Sequence, residues 1–504
     1  METVRRIVAL FFGGVLATIS LVSCLPQLVQ MTSIVPVEVA TRAVDLPNFT
    51  PTRIVATSLP TPTSTPTSTP TSTSTPSPNP YPVFGAEMRN LTTAGGLNQM
   101  AAASTTWTRR NAVVWSSVEP TEGVYDWSAM AGLATELQNA YRAGMQVILI
   151  VRSTPEWARK MAGTGPDCGP ISSSKMAAFG SFMHDLVARY SVPPYNVKYW
   201  ELWNEEDAPY VSGNPVFGCW GDPTDAYGGG GYYAEMLKAA YPQIKAADPQ
   251  AQVLVGGLLL DCDPRPNAGC AAVGHDPRQD KFLEGILLNG GGDYFDGVSF
   301  HAYDYTAVGL EGVYINPNWE SAWNTTGPVE GAKIGYIQGL LDQYDVRGKF
   351  LINTEAALLC DSCKGTYNTI SENTKASYVV QEFAVAIAGN LRASIWFSVL
   401  GWRNSNLLKA NLTPLPAYTA LQFARNELGN ATWSRDITEY TGVKGFEFKR
   451  SNRRIWVVWS LDGATHSLNL PGAPLAAWSD LGSSISPAAS MDIDLNPVYL
   501  EWKP

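Results

Sequence analysis

Several large classes of protein are excluded by what this chain of 504 residues has little of. It carries 35 Lys and Arg against 45 Asp and Glu, a net charge of −10, and no run of basic residues. Binding to nucleic acid needs clustered cations to neutralise phosphates, so nucleic acid is not an expected partner. Histidine is rare: His184, His275, His301 and His466 are scattered and form no ligand spacing, which argues against zinc. No Gly-x-Ser-x-Gly elbow marks an esterase or a related transferase. The glycine runs 228–231 and 290–292 are not followed by Lys-Ser or Lys-Thr, so they read as flexible loops rather than phosphate cradles. No metal and no cofactor is expected. What is abundant is Trp and Tyr, 16 and 22 residues, whose flat faces suit stacking on sugar rings, although many must serve as core.

The chain opens with Arg5 and Arg6, an apolar stretch from Ile7, and Leu21-Val22-Ser23-Cys24. A positive segment before a short apolar run reads as an export signal over residues 1–23. Leu21-Val22-Ser23-Cys24 resembles a bacterial lipobox, which implies that Cys24 is lipidated and becomes the mature N-terminus. An ordinary cleaved signal or a simple membrane anchor is the alternative. From about Leu46 to Pro82 the composition changes to Thr, Pro and Ser with a repeating Thr-Pro-Thr-Ser. Such a segment has too few apolar groups to bury and stays extended, so residues 24–82 read as a disordered stalk. The expected location is the cell surface, outside the cell, with the membrane touched only through the lipid.

Six further cysteines follow: Cys168, Cys219, Cys262, Cys270, Cys360 and Cys363. An even count in an exported chain reads as disulfides. Nearness in sequence favours Cys262–Cys270 and Cys360–Cys363, which leaves Cys168–Cys219, among fifteen possible connectivities. A redox role for Cys360-x-x-Cys363 is the alternative, but no thioredoxin-like unit surrounds it.

About 420 residues beyond the stalk exceed one ordinary core, and point to a large domain with an accessory unit. Strand-like runs near 84–89, 111–115, 146–152, 199–204, 252–259, 297–303, 350–354 and 393–397 alternate with helix-like segments at 128–143, 174–190, 233–247, 332–344, 375–388 and 414–426. Eight strands alternating with helices predict a (β/α)₈ barrel over residues 83–428. From about Gly429 short strands separated by turns take over, as in an antiparallel β-sandwich over residues 429–504. Trp456, Trp459, Trp478 and Trp502 in that region read as core ahead of sugar platforms.

Two apolar runs end in carboxylates: Val197–Glu205, reading VKYWELWNE, and Lys349–Ala356, reading KFLINTEA. In a (β/α)₈ barrel the C-terminal ends of all strands open into one site, so carboxylates distant in sequence can converge there. A facing pair is what cleavage of a glycosidic bond requires. Strand alternation puts Glu201, Trp203 and Glu205 on one face, with Glu201 deeper in the barrel and Glu206 turned away.

Trp200-Glu201-Leu202-Trp203-Asn204-Glu205 resembles the fourth-strand signature of the clan A glycoside hydrolases, and Thr354-Glu355 resembles their seventh-strand nucleophile. Trp115-Ser116-Ser117-Val118-Glu119-Pro120 with Gly123-Val124-Tyr125-Asp126-Trp127, then Ser153-Thr154-Pro155-Glu156-Trp157, Phe300-His301-Ala302-Tyr303 and Ser394-Ile395-Trp396-Phe397 fall in the same order as that clan's other landmarks. The order resembles family 39 and, less closely, family 5, whose usual His after the third strand is missing from Val151-Arg152-Ser153.

The resemblance implies an extracellular enzyme that hydrolyses β-linked oligo- or polysaccharides with retention, as a monomer. It implies Glu205 as acid/base, with Trp200 and Trp203 supplying apolar burial and Glu355 a nearby negative charge. It implies Glu355 as nucleophile and Asn204 as the holder of the sugar 2-hydroxyl. Further substrate-binding residues are His301, Tyr303 as a donor to Glu355, Trp396 as a platform under the sugar, and Arg109 supporting the nucleophile, with Arg110 as its rival. The alternatives are a non-catalytic carbohydrate-binding lipoprotein and a transglycosylase using the same two Glu.

Overall fold

In a computed structural model of the chain, the described residues are 81–504 without 162–168, 209–219, 267, 307–309, 320–326 and 364–366. The predicted export signal, Cys24, almost all of the predicted stalk, Cys168 and Cys219 lie outside them.

Nine strands form one sheet: β1 (Phe84–Ala86), β2 (Trp107–Val114), β3 (Gln146–Arg152), β4 (Tyr199–Asn204), β5 (Gln252–Leu258), β6 (Gly297–Thr306), β7 (Tyr314–Ile315), β8 (Phe350–Leu359) and β9 (Ser394–Trp396). β7 is a two-residue strand paired antiparallel to the end of β6; the other eight run parallel and close into a barrel, with β5 on β6 and β9 on β1. Helices Ala131–Arg142, Met176–Tyr190, Gly230–Ala247, Val329–Gln343, Thr369–Ala388 and Pro416–Leu428 follow strands in the expected alternation. The predicted α/β barrel is therefore the fold. β3 and β4 have the expected bounds, whereas β2, β6 and β8 run several residues longer, and the short helices Leu97–Ala102, Gly269–Val273 and Phe282–Leu288 lacked enough turns to leave a periodic signal.

Side chains alternate along each strand, so every second residue enters the barrel. At the N-terminal end these are apolar: Trp107, Ile148, Tyr199, Leu254, Phe350, Ile352 and Ile395 form one buried cluster. Gly85 of β1 belongs there because a Cβ would stand 2.4 Å from Ile395 and 2.8 Å from Trp107. The opposite faces of the strands pack on the helices in a larger apolar core.

Beyond the barrel, a six-stranded antiparallel sheet comprises β10 (Thr432–Asp436), β11 (Val443–Arg450), β12 (Arg453–Ser460), β14 (Ala476–Ser479), β15 (Ser484–Ile485) and β17 (Val498–Trp502). A second sheet pairs β13 (His466–Asn469) with β16 (Ser490–Ile493), and Leu468, Met491 and Ile493 share a core with Trp456, Val458 and Leu500 of the first sheet. Trp456, Trp459 and Trp502 are buried as core, and Trp478 is half-buried, its indole donating to Glu501 and its ring packed on Phe423. The sheets rest on the barrel helices through Ser377 with Asp480 and Asn496, at 2.8 and 2.9 Å, and through Phe423 against Tyr499.

The predicted pairs Cys262–Cys270 and Cys360–Cys363 are disulfide-bonded.

Candidate active site

Arg109 enters the barrel one layer above Trp107 and is fully buried at the centre of a hydrogen-bonded cluster. Its Nε donates to Glu201 at 2.7 Å, one terminal nitrogen to Glu355 and, at 3.4 Å, to Glu87, and the other to Asn204 and, at 3.3 Å, to Glu201. Arg110 points the other way and pairs with Glu136 on a helix, which decides between the two arginines. Glu201 lies deep in the barrel, as expected, and also accepts from Thr354 at 3.1 Å.

Glu355 reaches the site through a break in alternation. On β8 the inward residues are Phe350, Ile352 and Thr354, so a regular strand would turn Glu355 toward the helices. The pairing of β6 with β8 skips one residue, from Phe300↔Asn353 to His301↔Glu355. This bulge lets Thr354 and Glu355 both face inward. Glu355 then accepts from Arg109 and from the Tyr303 hydroxyl. Burial, with the Glu355 charge beside it, holds the Tyr303 phenol far above its ordinary pKa, so it stays a donor.

The end of β4 uses a different device. Trp203 and Glu205 adopt positive φ of 72° and 49°, a left-handed conformation uncommon outside glycine. Trp203 is thereby turned outward onto Phe179 and Trp220, while Asn204 and Glu205 both face the barrel. Trp203 therefore does not share a face with Glu201 and Glu205, and neither it nor Trp200, which packs in the outer core, lines the Glu205 carboxyl. Glu205 is held instead by His301 Nδ1 at 3.0 Å and by its own N–H to the Gly257 carbonyl at 2.9 Å. Its pKa is pushed up to about 7 by burial, against the pull of Arg109 and Lys333 and with a small addition from Asp261 rather than from Glu355. Burial also drives His301 down to about 3, so its ring is neutral. Gly257 makes room for that ring: a Cβ there would lie 2.2 Å from His301 Nε2 and 2.9 Å from Glu201. Glu206 faces away, as expected, toward Gly256, and burial keeps it neutral.

One carboxylate oxygen each of Glu205 and Glu355 and a ring nitrogen of His301 lie within 4.8 Å of one another. A divalent cation could be spanned by such a set, but both Glu355 oxygens are taken by donors and the Arg109 charge adjoins it. The Cys262, Cys270 and Asp280 group is no better suited, because its sulfurs are joined in a disulfide.

The structure brings together Glu205, Glu355, Asn204, His301, Tyr303 and Arg109. It does not bring Trp396. Ile395 faces the barrel interior, so alternation sends Trp396 outward, where it is fully buried against Tyr378 and donates to the Ser405 carbonyl at 2.7 Å. The aromatic wall of the site is built by Phe397 and Trp402, edge to face with Tyr303 at 6.3 and 6.1 Å between ring centres. Trp402 is 48% exposed and is free to meet a ligand. Sequence reasoning also missed Glu87, although a Glu one residue beyond the first strand gives the same signal as Glu205 does on the fourth. Trp402 sits in a loop and had no periodic signal.

Residues 87–176 match the model of a glycoside hydrolase family described as Beta-galactosidase (Glyco_hydro_42). Among solved structures the chain is similar to a family 39 glycoside hydrolase from the gut symbiont Bacteroides cellulosilyticus WH2, with 17% identity over 83% of this chain and 81% of that one and a TM-score of 0.61. It is also similar to a GH30 endoxylanase from Clostridium papyrosolvens C71, with 12% identity, coverage of 85% and 98% and a TM-score of 0.55. A monomeric β-xylosidase from Caulobacter crescentus CB15 aligns with 15% identity, coverage of 86% and 98% and a TM-score of 0.52. No curated protein matches the chain. At these identities the likeness establishes a fold shared with glycoside hydrolases.

Proposed function

We propose that the chain is a retaining β-glycoside hydrolase acting outside the cell on oligo- or polysaccharides. The observation that carries this reading is a pair of buried carboxyls, closer than 4.8 Å at one oxygen each, in opposite electrostatic surroundings. Retaining enzymes hold the two groups about 5–5.5 Å apart, whereas inverting ones leave about 6.5–9.5 Å for water. Glu355, oriented by a guanidinium and a phenol that donate to it, is placed to attack the anomeric carbon. Glu205, raised to about 7, is suited to carry a proton near neutral pH and deliver it to the leaving oxygen. After the protonated leaving group departs and the glycosyl ester forms on Glu355, the Glu205 anion takes a proton from a water whose oxygen attacks the anomeric carbon. That attack breaks the ester bond, frees the sugar and returns Glu355 as a carboxylate and Glu205 as the acid. A sugar hydroxyl taking the place of that water would give transglycosylation by the same two groups. The matched pair of environments favours catalysis over a purely carbohydrate-binding role.

The direct test is proton NMR of the first-formed anomer during hydrolysis of aryl β-glycosides and plant or microbial polysaccharides. The β-anomer is expected, and the α-anomer would overturn the retaining assignment. A 2-deoxy-2-fluoro aryl glycoside of the preferred sugar should leave its sugar on the peptide containing Glu355. The Leu21-Val22-Ser23-Cys24 motif and the stalk favour anchoring through lipidated Cys24. Mass spectrometry of the mature N-terminal peptide tests that, and an unmodified terminus beyond residue 24 would exclude it.

A further inference from the structure

Three carboxyls share one guanidinium in this site. Glu201 takes two nitrogens of Arg109 and the Thr354 hydroxyl, and Glu355 takes Arg109 and Tyr303. Glu87 has only the 3.4 Å contact to Arg109, the one hydrogen bond to its side chain among the described residues. His301 is neutral, and Lys333 is engaged with the carbonyls of Leu259 and His301 on the β5–β6 side. Three anions around one cation in a buried place are costly, and the acid with the fewest donors is the one that keeps its proton. Burial and the adjoining carboxylates push Glu87 up to about 8.

The position of Glu87 says what it would touch. In the closed sheet β1 lies two strands from β8, with β9 between, and three strands from β4, with β2 and β3 between. The leaving group must lie toward Glu205 and the attacked ring beside Glu355, and Glu87 stands next to Glu355 because the same Arg109 nitrogen donates to both. The Glu87 side chain is 15% exposed, against 1% for Arg109, and its second oxygen accepts no hydrogen bond among the described residues. We propose that Glu87 is a specificity-determining residue of the subsite for the cleaved sugar, where its open carboxyl edge binds a hydroxyl of an uncharged ring. A ring bearing a carboxylate or sulfate in that place would add a third negative charge beside Glu201 and Glu355, which share the single Arg109 guanidinium, and be rejected. The inference rests on the glycosidase reading of Glu205 and Glu355 and goes further by naming the residue that selects the sugar.

The test compares wild type, Glu87→Ala and Glu87→Gln, as full chains, on the aryl β-glycoside the wild type hydrolyses best and on its 3-, 4- and 6-deoxy counterparts. For Glu87→Ala, kcat/KM on the parent should fall by about 10-fold, the worth of one hydrogen bond, while one deoxy analogue loses nothing further. Glu87→Gln, which keeps a donor and an acceptor, should recover most of the loss. It should also abolish a rise in KM that wild type shows as pH passes about 8 and Glu87 ionises. An equal loss on the parent and every deoxy analogue would make Glu87 a mere support for Arg109 and overturn the proposal, as would no loss at all. Failure of the wild type to cleave any aryl β-glycoside would instead overturn the reading of the whole site, and this inference with it.

Discussion

The two ends of the barrel are made by the same strands from opposite kinds of residue. On β2 the inward side chains pass from Trp107 to Arg109, on β4 from Tyr199 through Glu201 to Glu205, and on β8 from Phe350 and Ile352 to Thr354 and Glu355. The N-terminal end excludes water with apolar volume and holds the barrel shut. The C-terminal end buries carboxyls and a guanidinium, which is costly unless each group finds a partner. The strands also differ in regularity. Near the apolar end they keep simple alternation, whereas positive φ at Trp203 and Glu205 and a bulge beside Thr354 occur only where the carboxyls emerge. On the proposed reading, stability is concentrated at one end and chemistry at the other, the division general for this architecture.

Substitutions at the two ends should separate these roles. The largest effect is expected for Glu355→Gln, because an amide is no nucleophile: turnover should fall by about 10⁴-fold or more with the thermal midpoint unchanged or raised. Stopped assays with an aryl glycoside together with calorimetry check both halves. Glu205→Ala should cost about 10²–10⁴-fold on substrates with poor leaving groups and far less on activated aryl glycosides, where protonation is not needed. Added azide should restore rate and yield a β-glycosyl azide, identified by NMR. If both variants kept wild-type rates, the charged end would not be the site of chemistry.

At the apolar end, Ile352→Ala should leave kcat/KM per folded molecule within about twofold. It should destabilise by about 2–5 kcal/mol, read as a lower denaturant midpoint at unchanged slope. A large loss of activity at preserved stability would erase the contrast between the two ends.

A further expected effect is a pH dependence of stability from buried acids behind the charged end. Burial raises Asp280 to about 8 and Asp304 to about 7, while the unfolded chain titrates near the ordinary value of about 4. Below about pH 4 both states are protonated and the stabilisation is fully present. As pH rises, the unfolded state releases protons that the folded state retains, so stability is lost progressively up to about pH 8 and then levels. Scanning calorimetry between pH 4 and 9 should show the midpoint falling through that window, and Asp304→Asn should flatten part of the slope.

The barrel was legible because its evidence is local and repeated: apolar runs of strand length, helices with apolar residues every three or four positions, and carboxylates at the ends of two runs. Glu205 and Glu355 could be found from strand position and resemblance, and His301, Tyr303 and Arg109 from the resemblance alone. Trp396 was misplaced and Trp203 misdirected for one reason. Both assignments depended on which face a side chain takes near a strand end, and there the backbone departs from simple alternation or the aromatic passes to the next residue in the chain. Glu87 was overlooked because one acid beside a three-residue strand carries little weight until Arg109 is seen to bind it together with Glu355.

Taken alone, the order of residues determined the succession of strands and helices, hence a closed parallel sheet, because hydrophobic periodicity is a property of neighbours along the chain. It also determined that two glutamates stand at strand ends. Which side chains meet was decided only by the tertiary structure. The bulge that turns Glu355 inward is a mismatch between β6 and β8, and the neutrality of His301 and the raised Glu205 come from burial among strands far apart in sequence. Register and desolvation depend on partners, and partners exist only once the barrel has closed.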